Sequence, residues 1–169
     1  MGRPRGFYVM GPRASRRHGY TDRWMARPLL VASDHAGFAL KERLKETLDR
    51  LGIAYTDAGT HSEEPVDYPD FGKRVAGAVS RGDVERGLLV CGTGQGMAMT
   101  ANRYRGVRAV VPPDEQTARL SREHNDANVL ALGGRTLEPA LAERILEVWL
   151  ETPFAGGRHE RRVRKIDEP

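Results

Sequence analysis

Cysteine is almost missing from this chain: Cys91 is the only one in 169 residues. One thiol cannot close an internal disulfide, nor supply a structural zinc site built on several cysteines, so neither device stabilises the fold. Such sparing cysteine usage suits a reducing, cytoplasmic setting. Aromatic residues are few, at 7%, and no apolar run approaches the ~20 residues needed to span a bilayer. Ser15-Arg16-Arg17 has the form of a twin-arginine export signal, but the apolar stretch after it runs only from Pro28 to Ala32 before Asp34 intervenes. Without an h-region, export is not expected. Internal repeats and low-complexity segments are also lacking.

Basic charge is present but poorly distributed for nucleic-acid binding. The chain carries a net charge of +4 and has a pI near 9.5. Residues 1–26 hold six arginines against one acid, and residues 158–169 hold five Lys/Arg against three acids, which leaves residues 27–157 at −3. A groove-binding domain carries its basic face on the folded body, so nucleic acid is not an expected partner. The length suits one domain. It is expected over residues 27–152, with a tail over 153–169. Residues 1–26 are expected to be a disordered extension, or to precede a start at Met25.

Short apolar runs alternate with amphipathic segments along that domain. Strands are expected at Leu29–Ser33, Ile53–Thr56, Gly87–Val90, Val107–Val111 and Asn128–Leu132. Leu40, Leu44, Leu48 and Leu51 form a helical stripe, and Gly52 follows as a stop. Further helices are expected over about 70–80, after the glycine turn to about Tyr104, over about 114–123 and about 138–151, with a short charged helical segment in the tail. Continuous apolar strands separated by helices indicate a parallel sheet buried on both faces. The expected fold is therefore α/β: a three-layer αβα sandwich around a five-stranded, Rossmann-like parallel sheet. Ligands in such folds bind at the C-terminal ends of the strands. The unusual residues fall there: Asp34 and His35 after the first strand, Cys91 to Gly96 after the third, Arg135 after the fifth. His124 precedes the fifth strand, so reaching that edge would require the preceding helix to bring it round.

Three glycines on alternate positions, Gly92, Gly94 and Gly96, follow the cysteine. A dinucleotide fingerprint would place its third glycine at 97, and a cysteine-phosphatase loop would place an arginine there; Met97 occupies the position and excludes both. A Walker loop fails for want of Gly-Lys-Ser/Thr. A strand end, a glycine turn and a following helix can aim backbone N–H groups at one anion and favour a thiolate. A buried, inert thiol is the alternative for Cys91, and an ordinary turn hydroxyl for Thr93. The histidines show no ligand pair at helical spacing with a carboxylate, so a metal is not expected. His35 and His124, beside Asp34 and Asn125, suit acid–base or phosphate contacts. Arg135, Arg158 and Arg162 are either solvated charge or anion ligands. Arg158 and Arg162 lie one helical turn apart after Gly156-Gly157 and could reach a single anion.

Taken together, Ser33 to Phe38, Asp67-Tyr68-Pro69, Cys91 to Gly96, Ala101-Asn102, Ser121 to Asp126 and Gly157 to Arg162 resemble the ribose-5-phosphate isomerase B family, within the group that includes galactose-6-phosphate isomerase subunits. The resemblance covers about residues 27–166. It implies aldose–ketose interconversion of a sugar phosphate through a cis-enediolate, without metal or organic cofactor. By the same resemblance Cys91 is the base, and Thr93 helps relay a proton. Backbone N–H groups of Gly92, Gly94, Gln95 and Gly96 hold the enediolate. His124, with Asp34, opens the sugar ring. Tyr68 and Asn125 contact sugar oxygens, and His35, Arg135, Arg158 and Arg162 hold the phosphate. Tail arginines in this family reach a neighbouring subunit's site, which implies a homodimer or a homotetramer of paired dimers. Some relatives carry a glutamate where this chain has Met97; the thiol version of the chemistry is implied here. Ribose 5-phosphate is the expected substrate, with a tetrose 4-phosphate, allose 6-phosphate or galactose 6-phosphate as the alternative, and non-catalytic phosphosugar binding as the alternative of another class.

Overall fold

The computed structural model describes residues 28–168; the expectation for residues 1–26 lies outside them. Five strands, β1 (Leu29–Ser33), β2 (Tyr55–Asp57), β3 (Gly87–Cys91), β4 (Ala109–Val110) and β5 (Val129–Gly133), form one parallel sheet in the order β2-β1-β3-β5-β4. Six helices alternate with them: α1 (Phe38–Leu51), α2 (Tyr68–Ser80), α3 (Gln95–Ala101), α4 (Glu115–Asn125), α5 (Pro139–Glu151) and α6 (Arg158–Asp167).

Period-two alternation of the strands splits the core into two layers. Leu29, Val31, Leu88, Val90, Leu130 and Leu132 face α1, α4 and α5, where Leu44, Leu48, Ile145 and Trp149 complete one cluster. Ala32, Leu89, Cys91, Val129 and Ala131 face α2 and α3, meeting Phe71, Val75 and Met97. The three central strands are buried almost throughout, which is why they read as unbroken apolar runs.

The edge strands depart from expectation. β2 starts two residues later than Ile53, and β4 shrinks to two residues. Asn102 covers the open edge of β4: its amide donates to Ala109 O at 3.0 Å and its carbonyl accepts from Ala109 N at 2.7 Å. A side chain thus supplies bonding that the backbone of a further strand would have made there. α2 begins at Tyr68 rather than Asp70, because Pro69 fits a first helical turn where its missing N–H is not needed.

The lower end of the molecule is tied by arginines. Arg122 is buried over the Trp149 ring and donates to Ala127 O, Thr152 O and Asp126. Arg108 bonds Asp126 and Asp167, fastening the end of α6 to the start of β4. No helix among the described residues is long and apolar enough to cross a membrane.

Candidate active site

β1 and β3 are neighbours, yet the chain leaves β1 for β2 on one side and β3 for α3 and β4 on the other. Their C-terminal ends therefore open a crevice, the topological switch point of the sheet. Asp34 caps the turn His35–Gly37, its Oδ1 accepting from Gly37 N at 2.9 Å. The following His35 ring sits with Nδ1 3.2 Å from Val66 N and 3.3 Å from Val66 O, so the loop before α2 fixes its orientation.

Cys91 ends β3 with its side chain in the α2/α3 layer, almost wholly buried. Gly94, at φ +78°, turns the chain so that its N–H donates to Cys91 Sγ at 3.2 Å. That φ is one an L-residue with a side chain rarely adopts. Among the described residues no acceptor takes the N–H of Gly92, Thr93 or Gly96. Thr93 is exposed, and its Oγ1 accepts from Gln95 N at 3.4 Å. Tyr68 lies across Gly96, where an added Cβ would meet the ring at 2.7 Å. Arg135 is anchored beside the turn by its N–H to Gly92 O at 3.0 Å, with its side chain over Gly92. So Asp34, His35, Tyr68, the turn Cys91–Gly96 and Arg135 share one edge. The position of Met97 is fully buried and apolar, so the thiol is the ionisable group of that turn.

The remaining expected residues do not join them within one chain. α4 runs antiparallel to the strands and ends at Asn125, just before β5 begins, with Asp126 in the left-handed region as its C-cap. His124 and Asn125 are thus at the N-terminal edge, separated from Cys91 by the length of β5, roughly 13 Å at ~3.3 Å per residue. The helix does not bring His124 round, nor place it beside Asp34. Instead its ring stacks on His159, with centroids 4.3 Å apart and planes 9° from parallel. Gly156 and Gly157, both at positive φ, turn the tail into α6 here. Arg158 and Arg162 are exposed at the start of that helix, one turn apart. Burial, then the charges of His124, Arg158 and Arg162, hold His159 below the usual histidine pKa.

Two features escaped the sequence reading. His159 sat in the tail run Arg158-His-Glu-Arg-Arg162, but which residue it would meet depended on the turn at Gly156-Gly157. A charged cluster lies behind the His35 loop: fully buried Lys41 contacts Asp57 at 2.5 Å and Glu42 at 2.9 Å, and Lys45 contacts both acids at 2.8 Å. Asp57 Oδ1 also accepts from Gly59 N at 2.9 Å. Lysines at i and i+4 on an otherwise leucine-striped helix were the available signal. Among the described residues no group of three or more His, Cys, Asp or Glu is placed to hold a metal ion.

A profile described as Ribose/Galactose Isomerase matches residues 29–166. Ribose-5-phosphate isomerase B of Escherichia coli is 46% identical over 140 residues, covering 83% of this chain and 94% of that protein. The crystal structure of a ribose 5-phosphate isomerase from Thermotoga maritima is 51% identical, with a TM-score of 0.82 over 85% of this chain and 99% of that one. Ribose-5-phosphate isomerase B of Mycoplasma genitalium, solved with bound ribulose-5-phosphate, is 38% identical, with a TM-score of 0.80 over 84% of this chain and 95% of that one. The chain belongs to the ribose/galactose isomerase family, as a sugar-phosphate isomerase of the ribose-5-phosphate isomerase B type.

Proposed function

We propose that the chain interconverts ribose 5-phosphate and ribulose 5-phosphate through a cis-enediolate, with Cys91 as the base. The observation that carries this reading is the turn after β3. It joins a thiol to three N–H groups without acceptors, and His35, Tyr68 and Arg135 stand around it. The relative solved with ribulose-5-phosphate supports the choice of substrate. Cys91 Sγ removes the proton from C2 of the open-chain aldose as the carbonyl oxygen gains charge. Free N–H groups aimed at that oxygen stabilise it, each worth roughly 10²–10³ in rate. The proton returns to C1, and Thr93 passes the hydroxyl proton between O1 and O2. His35 and Arg135 hold the phosphate.

The separation of His124, Asn125, Arg158 and Arg162 from this edge supports a second part of the proposal: the working unit is a homodimer, in which these residues of one copy serve the Cys91 edge of the other. A two-fold axis makes both composite sites equivalent. His124 then opens the furanose, with Asp34 across the interface, and the tail arginines complete the phosphate site.

Two inactive variants test the arrangement together. Cys91→Ala and His124→Ala homodimers each lack a residue in both sites; mixed, unfolded and refolded together, they form heterodimers with one intact site. About a quarter of all sites should then be whole under random pairing, with ribose 5-phosphate isomerisation restored to match. No recovery, with heterodimers present by mass spectrometry, would refute the shared site. Kinetics on four-, five- and six-carbon sugar phosphates test the substrate, and ribose 5-phosphate ranking far below another would refute that choice.

A further inference from the structure

The stack of His159 on His124 lies outside every role given above. It is a parallel contact between two imidazoles, one nearly buried and one half-exposed. His159 is held from its own side: its backbone N–H donates to Gly156 O at 3.1 Å at the turn into α6, and α6 is fastened below by the Arg108–Asp167 ion pair. Arg158 Nε lies 3.5 Å from His159 Nε2. His124, by contrast, has no hydrogen bond from its ring among the described residues, and the stack is the ring contact that restrains its plane.

We propose that His159 is a positioning residue for ring opening: its imidazole face sets the plane from which His124 delivers a proton to the furanose oxygen. This rests on the ring-opening role proposed for His124. In that step the C1–O4 bond breaks with its electron pair passing to O4, which takes the proton from His124. The anomeric hydroxyl loses its proton to the Asp34 carboxylate of the other copy as the C1–O1 double bond forms. Water then restores both groups, so the proton count is unchanged. A general acid must aim its N–H along the oxygen lone pair, and an imidazole free to spin about its last torsion spends much of its time misaligned. Parallel ring contacts of this kind restrain that torsion. Burial and the neighbouring charges of His124, Arg158 and Arg162 disfavour the charged form of His159.

The test exploits a chemical asymmetry between the two substrates. Ribose 5-phosphate is a closed furanose that must be opened, whereas ribulose 5-phosphate cannot close onto its esterified O5 and is already open. Wash-in of deuterium at C1 of ribulose 5-phosphate in heavy water reports enediolate formation without ring opening. His159→Leu should lower kcat/KM for ribose 5-phosphate about tenfold, a part of the ~10²–10⁴ a general acid supplies, while C1 exchange from ribulose 5-phosphate stays within about twofold. His159→Phe keeps a flat face against His124 and should recover most of the ribose 5-phosphate rate. Equal losses on both substrates would overturn the proposal, because His159 would then only hold α6 and its arginines in place; no loss on either, or no recovery with phenylalanine, would overturn it too. His124→Ala in the same assays separates this from failure of the underlying reading. If that variant also lowers both rates together, the ring-opening role of His124 is what fails.

Discussion

Asp57→Asn removes one charge from the cluster behind the His35 loop and keeps the side chain's shape. Asparagine retains an oxygen for the Gly59 N–H, but Lys41, wholly out of solvent and 2.5 Å from the lost carboxylate, keeps only Glu42 at 2.9 Å. Breaking a buried pair costs ~3–5 kcal/mol, because the surviving charge is left uncompensated. Glu42 is 42% exposed and so offers a screened substitute; the lower end, ~3 kcal/mol, is expected, and a domain of this size should then melt ~10 °C earlier. The pH dependence has a definite sign. Burial pushes the Asp57 carboxyl up, but hydrogen bonds from Lys41, Lys45 and the Gly59 N–H outweigh burial and hold it below the ordinary aspartate pKa of 3.8. Its stabilisation is therefore complete above that ordinary value and is lost as pH falls through the lower, folded value. Urea unfolding in a series from about pH 7 to about pH 3 should show wild type and variant converging in acid. Equal midpoints at neutral pH, or a gap that stays constant into acid, would refute the reasoning.

Cys91→Ala should lower isomerisation by ~10²–10⁴, the usual worth of a positioned base, while inhibition by inorganic phosphate stays near wild type; wild-type turnover would mean that another group takes the proton. Arg158→Ala should raise KM for ribose 5-phosphate strongly and leave the melting temperature unchanged, since the side chain is exposed; unchanged kinetics would make it solvated charge. Gly96→Ala would place a methyl 2.7 Å from the Tyr68 ring. Tyr68 is 42% exposed and free to swing away, so the stability loss should be under ~1 kcal/mol, with the effect appearing instead as a higher KM. A loss of several kcal/mol in urea unfolding would show that the ring cannot yield.

Burial decided what could be read from the sequence. β1, β3 and β5 are shielded on both faces and appear as LLVAS, GLLVC and VLALG. β2 and β4 lie at the sheet edges and are partly exposed, so Ile53 and Val107 extended those readings beyond the strands themselves. Nothing in a periodicity shows that the Asn102 amide will stand in for backbone beside Ala109. At the site, the position of residues that follow a strand is legible, because a parallel sheet sends them all to one edge. His124 precedes a strand, and the same rule puts it at the other edge. Its stacking partner depended on two positive-φ glycines and the packing of α6 on α4, which no local pattern encodes.

The strand order has a consequence for how the chain is assembled. β5 is the last strand to leave the ribosome, yet it lies between β3 and β4, pairing Val129 with Gly87 on one side and with Ala109 on the other. Until it arrives, β3 presents an apolar, unbonded flank, and β4 has no sheet to join. The nascent protein cannot fold by adding one neighbour at a time. It must hold an open gap and close it late, so long-range pairing should limit the folding rate, and the β3 flank is the surface that a chaperone, or an aggregating neighbour, would meet first.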